Sequence, residues 1–377
     1  MRTTEFGHLT RWIRRVCLLL VLATATTSAF AAEGKTRNVV LITTDGLRWQ
    51  EVFTGAEKAL INKEHGGVAN VSEIEKRFWR ESPEERRKAL LPFFWNKIAA
   101  EGQIYGNQNA GSSSQITNTM KFSYPGYNEI LTGFADPRID SNAKKSNENF
   151  TVLEWLHRKP AFNNKVAAYS GWDVIPFIFN RERCGFPVMG GWERLPEPNP
   201  NPRQQLLNEL IVDTTRPNDA EVIDSFLFQA AREHLLRHKP RVFFVGFLET
   251  DAWGHAGRYD NLLTSANTVD QYIQRLWELM QSMDQYRGTT TFIITTDHGR
   301  GSGLVDWKNH GKAIEKAEDM WMAFLGPDTP PLGERKNCER VTQSQIAATL
   351  AALLGEDYHA EVKHSGAPIQ DVLPAQK

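Results

Sequence analysis

Three short apolar segments, each followed closely by an acidic residue, constrain the fold of this chain more than any other feature. The segments cover residues 38–44, 242–248 and 289–296, and the acids that follow them are Asp45, Asp251 and Asp297. Their length and their β-branched and aromatic residues predict buried strands. Ligands of an open parallel α/β sheet bind beyond the carboxyl ends of its strands, so acids that are distant in sequence can meet there. We therefore expect one functional site at these three strand ends.

Apolar residues with helical spacing separate the predicted strands along the chain. They predict helices that cover residues 92–102, 219–238, 264–286 and 342–354. Strands and helices that alternate in this way are typical of an α/β fold. We therefore predict a mostly parallel central sheet with helices on both faces.

Regular patterning fades between residues 171 and 217, where glycine and proline accumulate. This predicts an inserted, loop-rich segment that packs over the site or beside it. The segment also contains aromatic residues that either pack in the core or line a substrate pocket. They are Trp172, Phe177, Phe179, Phe186 and Trp192.

The beginning of the chain has the pattern of a secretory signal peptide. Arg11, Arg14 and Arg15 precede the apolar run 16–25, and small residues ending in Ala29-Phe30-Ala31 follow it. We predict a signal peptide over residues 1–31 and one domain over 32–377, in a periplasmic or secreted protein without a membrane span after cleavage. The alternative is an uncleaved membrane anchor.

Charge and cysteine content give two further constraints. Forty-four basic and 45 acidic side chains leave a formal net charge of -1, so nothing indicates binding to nucleic acid. Cys184 and Cys338 follow the predicted signal, and in an oxidising compartment they either pair or remain free thiols.

Ser123 lies where a helix is predicted to begin. Pro125 is suited to a first helical turn, and Gly133 is suited to the end of the helix. The free amides and the positive dipole end of a helix N-terminus favour an anion, whether an alkoxide or a bound phosphate. The alternative is that Ser123 only caps the helix.

Six residues close to the predicted strand ends have side chains that bind metals. They are Asp45, Asp251, His255, Asp297, His298 and His310. Mixed nitrogen and oxygen ligands suit zinc, while carboxylate-rich sites also admit magnesium or manganese. Six ligands are too many for a single catalytic ion with an open position. They predict two divalent ions. Zinc is the expected metal, and magnesium and manganese are the alternatives.

Taken together, these motifs resemble those of the alkaline phosphatase superfamily, and most nearly its nucleotide pyrophosphatase/phosphodiesterase branch. The motifs are Asp45-Gly46, Ser123 before a helix ending in Leu131-Thr132-Gly133, Asp251-Ala252-Trp253-Gly254-His255, Thr296-Asp297-His298-Gly299 and His310-Gly311. The resemblance covers residues 36–356 and implies an alkaline-phosphatase-like fold. It also implies two metal sites. One consists of Asp251, His255 and His310, and the other of Asp45, Asp297, His298 and the Ser123 oxygen.

The resemblance further implies covalent catalysis, in which the activated Ser123 oxygen attacks phosphorus and water then hydrolyses the phosphoserine. By analogy, Asn142 is the donor to the non-bridging phosphate oxygens, and Asn147 and Lys121 are alternatives. Sulfatases of the superfamily carry C/S-x-P-x-R, whereas Tyr127 stands at the arginine position here. The usual threonine-phenylalanine-proline-asparagine of the phosphodiesterases is replaced by Ser123-Tyr124-Pro125-Gly126, which leaves the substrate open.

We therefore predict a two-metal phosphohydrolase that acts on small phosphate esters, with a slight preference for diesters or nucleotide-like substrates. The arginine or third metal with which the superfamily's phosphatases bind a dianion has no counterpart that the sequence reveals. The alternatives are a phosphomonoesterase, a phosphoryl transferase or mutase, a sulfatase and a non-catalytic metal-binding module. Mutases of this superfamily are cytoplasmic, so a signal peptide favours a hydrolase.

Overall fold

An eight-stranded sheet organises residues 34–374, the part of the chain that the computed structural model describes. The signal peptide predicted for residues 1–31 lies outside the described residues and stays a prediction. Among the helices that are described, none combines the length and the apolar character needed to cross a bilayer.

The strands of the sheet follow one another in space in an order far from their order in sequence. Their bounds are β1 Asn38–Thr44, β2 Gln103–Tyr105, β4 Val166–Ser170, β5 Val188–Gly190, β6 Val242–Phe247, β7 Thr290–Thr295, β8 Met322–Leu325 and β9 Gly333–Glu334. The spatial order is β5-β4-β6-β1-β7-β8-β2-β9, in which only β8 runs antiparallel to its neighbours. Two short strands, β3 (Ser114–Gln115) and β10 (Val341–Thr342), form a separate pair.

The three strands that the sequence singled out are adjacent at the centre of the sheet. β1 lies between β6 and β7 and is parallel to both. Thr43 of β1 pairs with Gly246 on one side and with Thr295 on the other, so the three carboxyl ends lie at the same level. The predicted strands and the meeting of their ends are confirmed.

Helices cover both faces of the sheet, as predicted. Their bounds are α1 Trp49–Thr54, α2 Lys63–Gly66, α3 Val71–Phe78, α4 Pro83–Leu90, α5 Ala99–Glu101, α6 Ser123–Thr132, α7 Val152–His157, α8 Ile175–Ile178, α9 Arg181–Cys184, α10 Pro202–Asp213, α11 Asp224–His238, α12 Glu249–His255, α13 Tyr259–Ser282, α14 Gly303–Asp306, α15 Ile346–Leu353 and α16 Tyr358–Glu361. Val40 and Ile42 of β1 pack in the layer that contains α11 and α13. Val39 and Leu41 pack in the opposite layer with α6 and α15. This alternation is the period of two that strands impose on side chains.

Residues 171–217 contain more regular structure than the sequence pattern indicated. Val188–Gly190 form the edge strand β5, and Pro202–Asp213 form helix α10. The helix begins with a capping box, in which Asn201 accepts from the Gln204 amide and the Gln204 side chain accepts from the Asn201 amide. The prediction of a loop-rich segment is therefore wrong for residues 202–213, where the capping box and Pro202 in the first turn both favour a helix start.

The two cysteines that the sequence left open are free thiols in the structure. Cys184 is buried and Cys338 is partly exposed. Burial raises the pKa of the Cys184 thiol, which keeps it protonated and unreactive at neutral pH.

Glu129 on helix α6 fixes the chain that leads to Ser123. One of its buried carboxylate oxygens accepts from the Thr117 amide and hydroxyl, each at 2.8 Å, and the other accepts from the Asn118 amide and side chain, each at 2.9 Å. Burial raises the pKa of Glu129, but all four partners are donors and favour the ionised carboxylate. The carboxylate thus holds residues 117–118 against the helix.

The Glu129→Gln variant should lower the free energy of unfolding, because an amide nitrogen cannot accept from the two donors it would face. With about 1–3 kcal/mol for each donor left without a partner, the loss should be about 2–6 kcal/mol. Chemical denaturation measures it. Glu84→Gln, at an exposed position of α4, is the matched control and should change stability by less than about 0.5 kcal/mol. Equal denaturation midpoints for the two variants would contradict the role of Glu129.

Candidate metal centre

The first group of potential metal ligands surrounds His298, just beyond the end of β7. His298 Nε2 lies 3.4 Å from Asp45 Oδ1, 3.5 Å from Asp297 Oδ2 and 3.9 Å from Asp251 Oδ1. Asp45, Asp297 and His298 are all buried. The convergence of parallel strand ends thus brings one imidazole within reach of three carboxylates.

The second group consists of Asp251, His255 and His310. Asp251 and His255 are four residues apart on helix α12, which places both on one face. His255 Nε2 lies 3.2 Å from Asp251 Oδ2 and 2.8 Å from His310 Nε2. One ligand atom from each of the three residues lies within 4.8 Å of the others. Asp251 reaches both groups, so the two are adjacent.

Backbone carbonyls orient two of the imidazoles. His298 Nδ1 lies 2.9 Å from the Gly299 oxygen, and His310 Nδ1 lies 3.2 Å from the Lys121 oxygen. A carbonyl only accepts, so Nδ1 carries the proton and Nε2 presents its lone pair, as in metal-bound histidines. Burial, followed by the neighbouring His298, lowers the pKa of His310 to about 2 and keeps it neutral.

Two buried carboxylate oxygens lack hydrogen-bond donors within the described part of the chain. They are Asp45 Oδ1 and Asp297 Oδ2, the same oxygens that approach His298 Nε2. Burial raises the pKa of Asp45 well above its ordinary value, and nearby Asp251 raises it further. Burial likewise raises the pKa of Asp297 well above its ordinary value, and nearby Asp45 raises it further. Oxygens without donors beside a nitrogen lone pair match the needs of a divalent cation, and the mixed set suits zinc.

Ser123 is the first residue of helix α6 and is buried beside this centre. Its Oγ lies 3.4 Å from His298 Nε2. Phe122 occupies the N-cap position and the Ser123 hydroxyl does not cap the helix, which argues against the purely structural alternative. A Cβ at Gly126 would lie 2.2 Å from the Asp297 carbonyl oxygen, so glycine lets α6 approach the end of β7 closely.

Of the three candidate phosphate-binding residues, Asn142 lies at the site. A cavity of about 260 Å³ is lined by Asp45, Ser123, Asn142, Trp172, Glu221, Leu248, Asp251, His255 and His310. Asn142 Oδ1 accepts from the Tyr124 amide at 2.9 Å, which leaves its Nδ2 as the donor. Asn147 is buried and donates to Asn128, while Lys121 pairs with Glu318 at 2.7 Å. These two alternatives are therefore engaged elsewhere.

The chain matches the model of a known protein family over most of its length. Residues 63–322 match the family described as Type I phosphodiesterase / nucleotide pyrophosphatase. The chain belongs to this family. The matched range contains Ser123 and every candidate ligand except Asp45, and it confirms the resemblance to the alkaline phosphatase superfamily.

Individual relatives are more distant. The chain is 24% identical over 221 residues to a 2,3-bisphosphoglycerate-independent phosphoglycerate mutase from Gracilaria tenuistipitata var. liui, a match that covers 55% of this chain but only 40% of that enzyme. Wild-type alkaline phosphatase PafA has a TM-score of 0.56 at 11% identity, with 90% of this chain and 99% of that chain covered. The lipoteichoic acid synthase LtaP from Listeria monocytogenes has a TM-score of 0.54 at 11% identity, with 88% of this chain and 74% of that chain covered. The two structures share the fold, which confirms the predicted α/β architecture.

In this member of the phosphodiesterase family, one of the five aromatic residues of segment 171–217 reaches the cavity. Trp172 lines it. Phe179 packs against Phe186 and Phe244 with ring centroids 5.8 and 5.3 Å apart, and Trp192 packs against Phe226 at 6.0 Å. Core packing, rather than a pocket wall, is thus the role of Phe179, Phe186 and Trp192, and Phe177 does not line the cavity.

Sequence reasoning missed Arg300, which bonds directly to the site. Its buried guanidinium donates through Nη2 to Asp251 Oδ1 and, at 3.0 Å, to the Asp251 carbonyl. Burial would raise the pKa of Asp251, but Arg300 and the hydrogen bond from His255 hold it well below its ordinary value. The only sequence signal was Gly254, where a Cβ would lie 2.7 Å from the Arg300 guanidinium carbon.

Tyr127 and Glu221 were also missed as parts of the site. The Tyr127 hydroxyl donates to Asp45 Oδ2 at 3.1 Å, so the tyrosine at the sulfatase arginine position orients a ligand here. Glu221 adds an acidic side chain to the cavity lining, and burial followed by Asp251 raises its pKa. Glu221 belongs to no motif that the sequence alone marks, and the motif that begins at Ser123 did not reveal that Tyr127 contacts Asp45.

The Arg300→Gln variant should destabilise the metal-free protein, since it leaves Asp251 without its bonded cation. Breaking a buried ion pair from one side costs about 3–5 kcal/mol. Added zinc should recover part of this loss, because the ion replaces the missing positive charge. Thermal unfolding with chelator and with zinc measures both effects.

Arg287→Gln is the matched control, since Arg287 is exposed and its partners, the Asp284 carboxylate and the Gln281 and Ser282 carbonyls, lie outside the candidate ligand groups. It should leave the unfolding temperature unchanged with or without zinc. If zinc raises the unfolding temperature of Arg300→Gln no more than it raises that of the wild-type protein, Arg300 does not counterbalance the ligand carboxylates.

Proposed function

We propose that this protein is a periplasmic or secreted two-metal hydrolase of phosphate esters with Ser123 as its nucleophile. The observation that carries the proposal is the buried Ser123 Oγ, 3.4 Å from a histidine nitrogen that also faces the donor-free oxygens of Asp45 and Asp297. A hydroxyl in such surroundings is suited to act as an alkoxide once cations neutralise the carboxylates.

The ligands divide into two sets that would each hold one divalent ion. Zinc is the preferred metal, and magnesium and manganese are the alternatives. One set is Asp251, His255 and His310, and the other is Asp45, Asp297, His298 and the Ser123 oxygen. Bound there, the two ions would supply the positive charge that favours an ionised serine oxygen and a departing ester oxygen.

The reaction proceeds in two displacements. The Ser123 hydroxyl loses its proton and its oxygen forms a bond to phosphorus, while the bond from phosphorus to the leaving oxygen breaks and that oxygen takes up a proton. Water then attacks phosphorus and loses a proton, the bond to Ser123 breaks and the serine oxygen takes up a proton. Asn142 supports both steps, because its amide is oriented by the Tyr124 hydrogen bond and donates through Nδ2 to a non-bridging oxygen.

A phosphoryl transferase or mutase is the second candidate, and the sequence match to a phosphoglycerate mutase favours it. In that reaction a substrate hydroxyl, rather than water, accepts the phosphoryl group from Ser123. The predicted export signal favours hydrolysis. A sulfatase is less consistent with the site, because Tyr127 bonds to Asp45 where those enzymes carry an arginine.

The cavity favours a phosphate with a single negative charge. Among the described residues that line it there is no lysine or arginine, while Glu221 contributes an acid. A dianionic monoester would lack a cationic side chain for its additional charge, whereas a diester has only one charge and needs space beside an apolar wall. Trp172 and Leu248 form such a wall. We therefore propose diesters or nucleotide-like esters as the substrates.

Replacement of Ser123 by alanine should reduce kcat by roughly 10³-fold or more, because the attacking oxygen and its activation disappear together. Metal content and the unfolding temperature should change little. Steady-state hydrolysis of a nitrophenyl phosphate ester, together with metal analysis, tests this. Ser141→Ala, at an exposed position of the neighbouring loop, is the control and should retain wild-type turnover. Near-normal turnover of Ser123→Ala would mean that water attacks phosphorus directly.

The ratio of kcat/KM for a diester and a monoester with the same nitrophenol leaving group tests the substrate class. We expect a higher kcat/KM for the diester than for the monoester. We expect Glu221→Gln to lower this diester-to-monoester ratio, because it removes a negative charge near the monoester. Glu193→Gln, outside the cavity lining, should leave the ratio unchanged. A monoester preference above about a hundredfold, or about 2.7 kcal/mol of transition-state binding, would make this protein a phosphomonoesterase.

A further inference from the structure

A second cluster of metal-binding side chains lies outside the cavity, where helix α11 meets the chain that precedes α10. Glu197, His234 and His238 each offer a ligand atom within 4.8 Å of the other two. None of the three lines the cavity that contains Ser123. The cluster is therefore separate from the proposed catalytic centre.

The two histidines form a pair on one face of helix α11. They are four residues apart, and their rings stack with centroids 4.5 Å apart and planes 27° apart. Histidines with this spacing on a helix can bind one ion together, as they do in helical zinc motifs. His234 is buried, whereas the His238 side chain is 43% exposed, so the pair reaches from the core to solvent.

Tyr169 of β4 holds the buried ring. Its hydroxyl lies 2.9 Å from His234 Nδ1, and the two rings pack with centroids 4.8 Å apart. When Nδ1 donates to this hydroxyl, Nε2 carries the lone pair that a metal requires, the arrangement common to metal-bound histidines. Burial, followed by the neighbouring His238, lowers the pKa of His234 to about 3, so the ring is neutral.

Glu197 completes the cluster with a carboxylate. Its side chain is only 5% exposed although it belongs to an irregular, proline-containing segment, residues 193–201. Oε1 lies 2.6 Å from His238 Nε2, and Oε2 lies 3.3 Å from Arg237 Nε. Arg237 thus engages one carboxylate oxygen and leaves the other beside the histidines. Two imidazoles and a carboxylate are a donor set that zinc binds with a fourth position open to water.

We propose that Glu197, His234 and His238 form a second zinc site, separate from the catalytic centre, that fastens segment 193–201 to helix α11. The site joins this segment, through His234 and Tyr169, to strand β4 near the edge of the sheet. Its role is structural, because the catalytic cavity is lined by other residues. The proposal does not depend on the reaction that the catalytic centre performs.

The test is the zinc content of the purified full-length protein, measured after equilibration with buffered free zinc. His238→Asn and Glu197→Gln should each bind about one zinc ion fewer than the wild-type protein. Both variants should retain wild-type turnover, which also shows that they are folded. His234 is unsuited to the test because it packs against Tyr169 and Phe243 in the core. His364→Asn, at an exposed histidine outside these clusters, is the matched control and should keep the wild-type zinc content.

Hydrogen exchange gives a second, independent readout. Zinc should slow exchange of the backbone amides in segment 193–201 in the wild-type protein and in His364→Asn, but not in His238→Asn or Glu197→Gln. Equal zinc content in all four proteins would overturn the proposal and leave Glu197 and His238 as an ion pair only. Zinc-independent exchange of the segment in the wild-type protein would overturn it as well.

Discussion

The packing of three carboxylates, two of them buried and the third largely buried, at the ends of adjacent parallel strands is the constraint on which the rest of this structure depends. Asp45, Asp251 and Asp297 repel one another, and removing an ionised carboxylate from water costs several kcal/mol. Arg300 bonds directly to Asp251, whereas Asp45 and Asp297 each accept one neutral donor, the Tyr127 hydroxyl and the Gly46 amide. The remaining deficit of positive charge explains why this place suits divalent cations, and why histidine nitrogens face the same oxygens.

Close backbone approach is the second requirement of the site. A Cβ at Gly46 would lie 2.4 Å from Asp251 Oδ1, and one at Gly126 would lie 2.2 Å from the Asp297 carbonyl oxygen. Glycine at these positions lets acids from different strands and the start of helix α6 come within a few ångströms of one another. Glu129 holds the preceding turn, so the position of Ser123 follows from both the sheet and the packing of α6.

The two clusters of potential metal ligands differ in how they are connected to the fold. The cluster proposed as catalytic lies at the centre of the sheet, where the carboxylates and His298 follow β1, β6 and β7. The cluster of Glu197, His234 and His238 lies towards the edge and joins an irregular segment to a helix. A cation in the first would serve chemistry on a bound phosphate ester, whereas a cation in the second would restrict a segment with little regular structure of its own.

The sequence by itself determined the central strands, the two-faced helical packing and the set of residues that meet around His298. These follow from local patterns, because β-branched runs predict strands and acids at parallel strand ends share one edge of a sheet. The contacts of Arg300, Tyr127 and Glu221 and the position of Asn142 at the cavity were decided only by the tertiary structure. Their roles depend on contacts between residues far apart in the chain, and an isolated arginine or tyrosine has no periodicity that reveals its partner. The same reason separates Trp172, which lines the cavity, from Phe179 and Phe186, which pack in the core: all three belong to one aromatic-rich segment, and only folding determines which side chains reach the site.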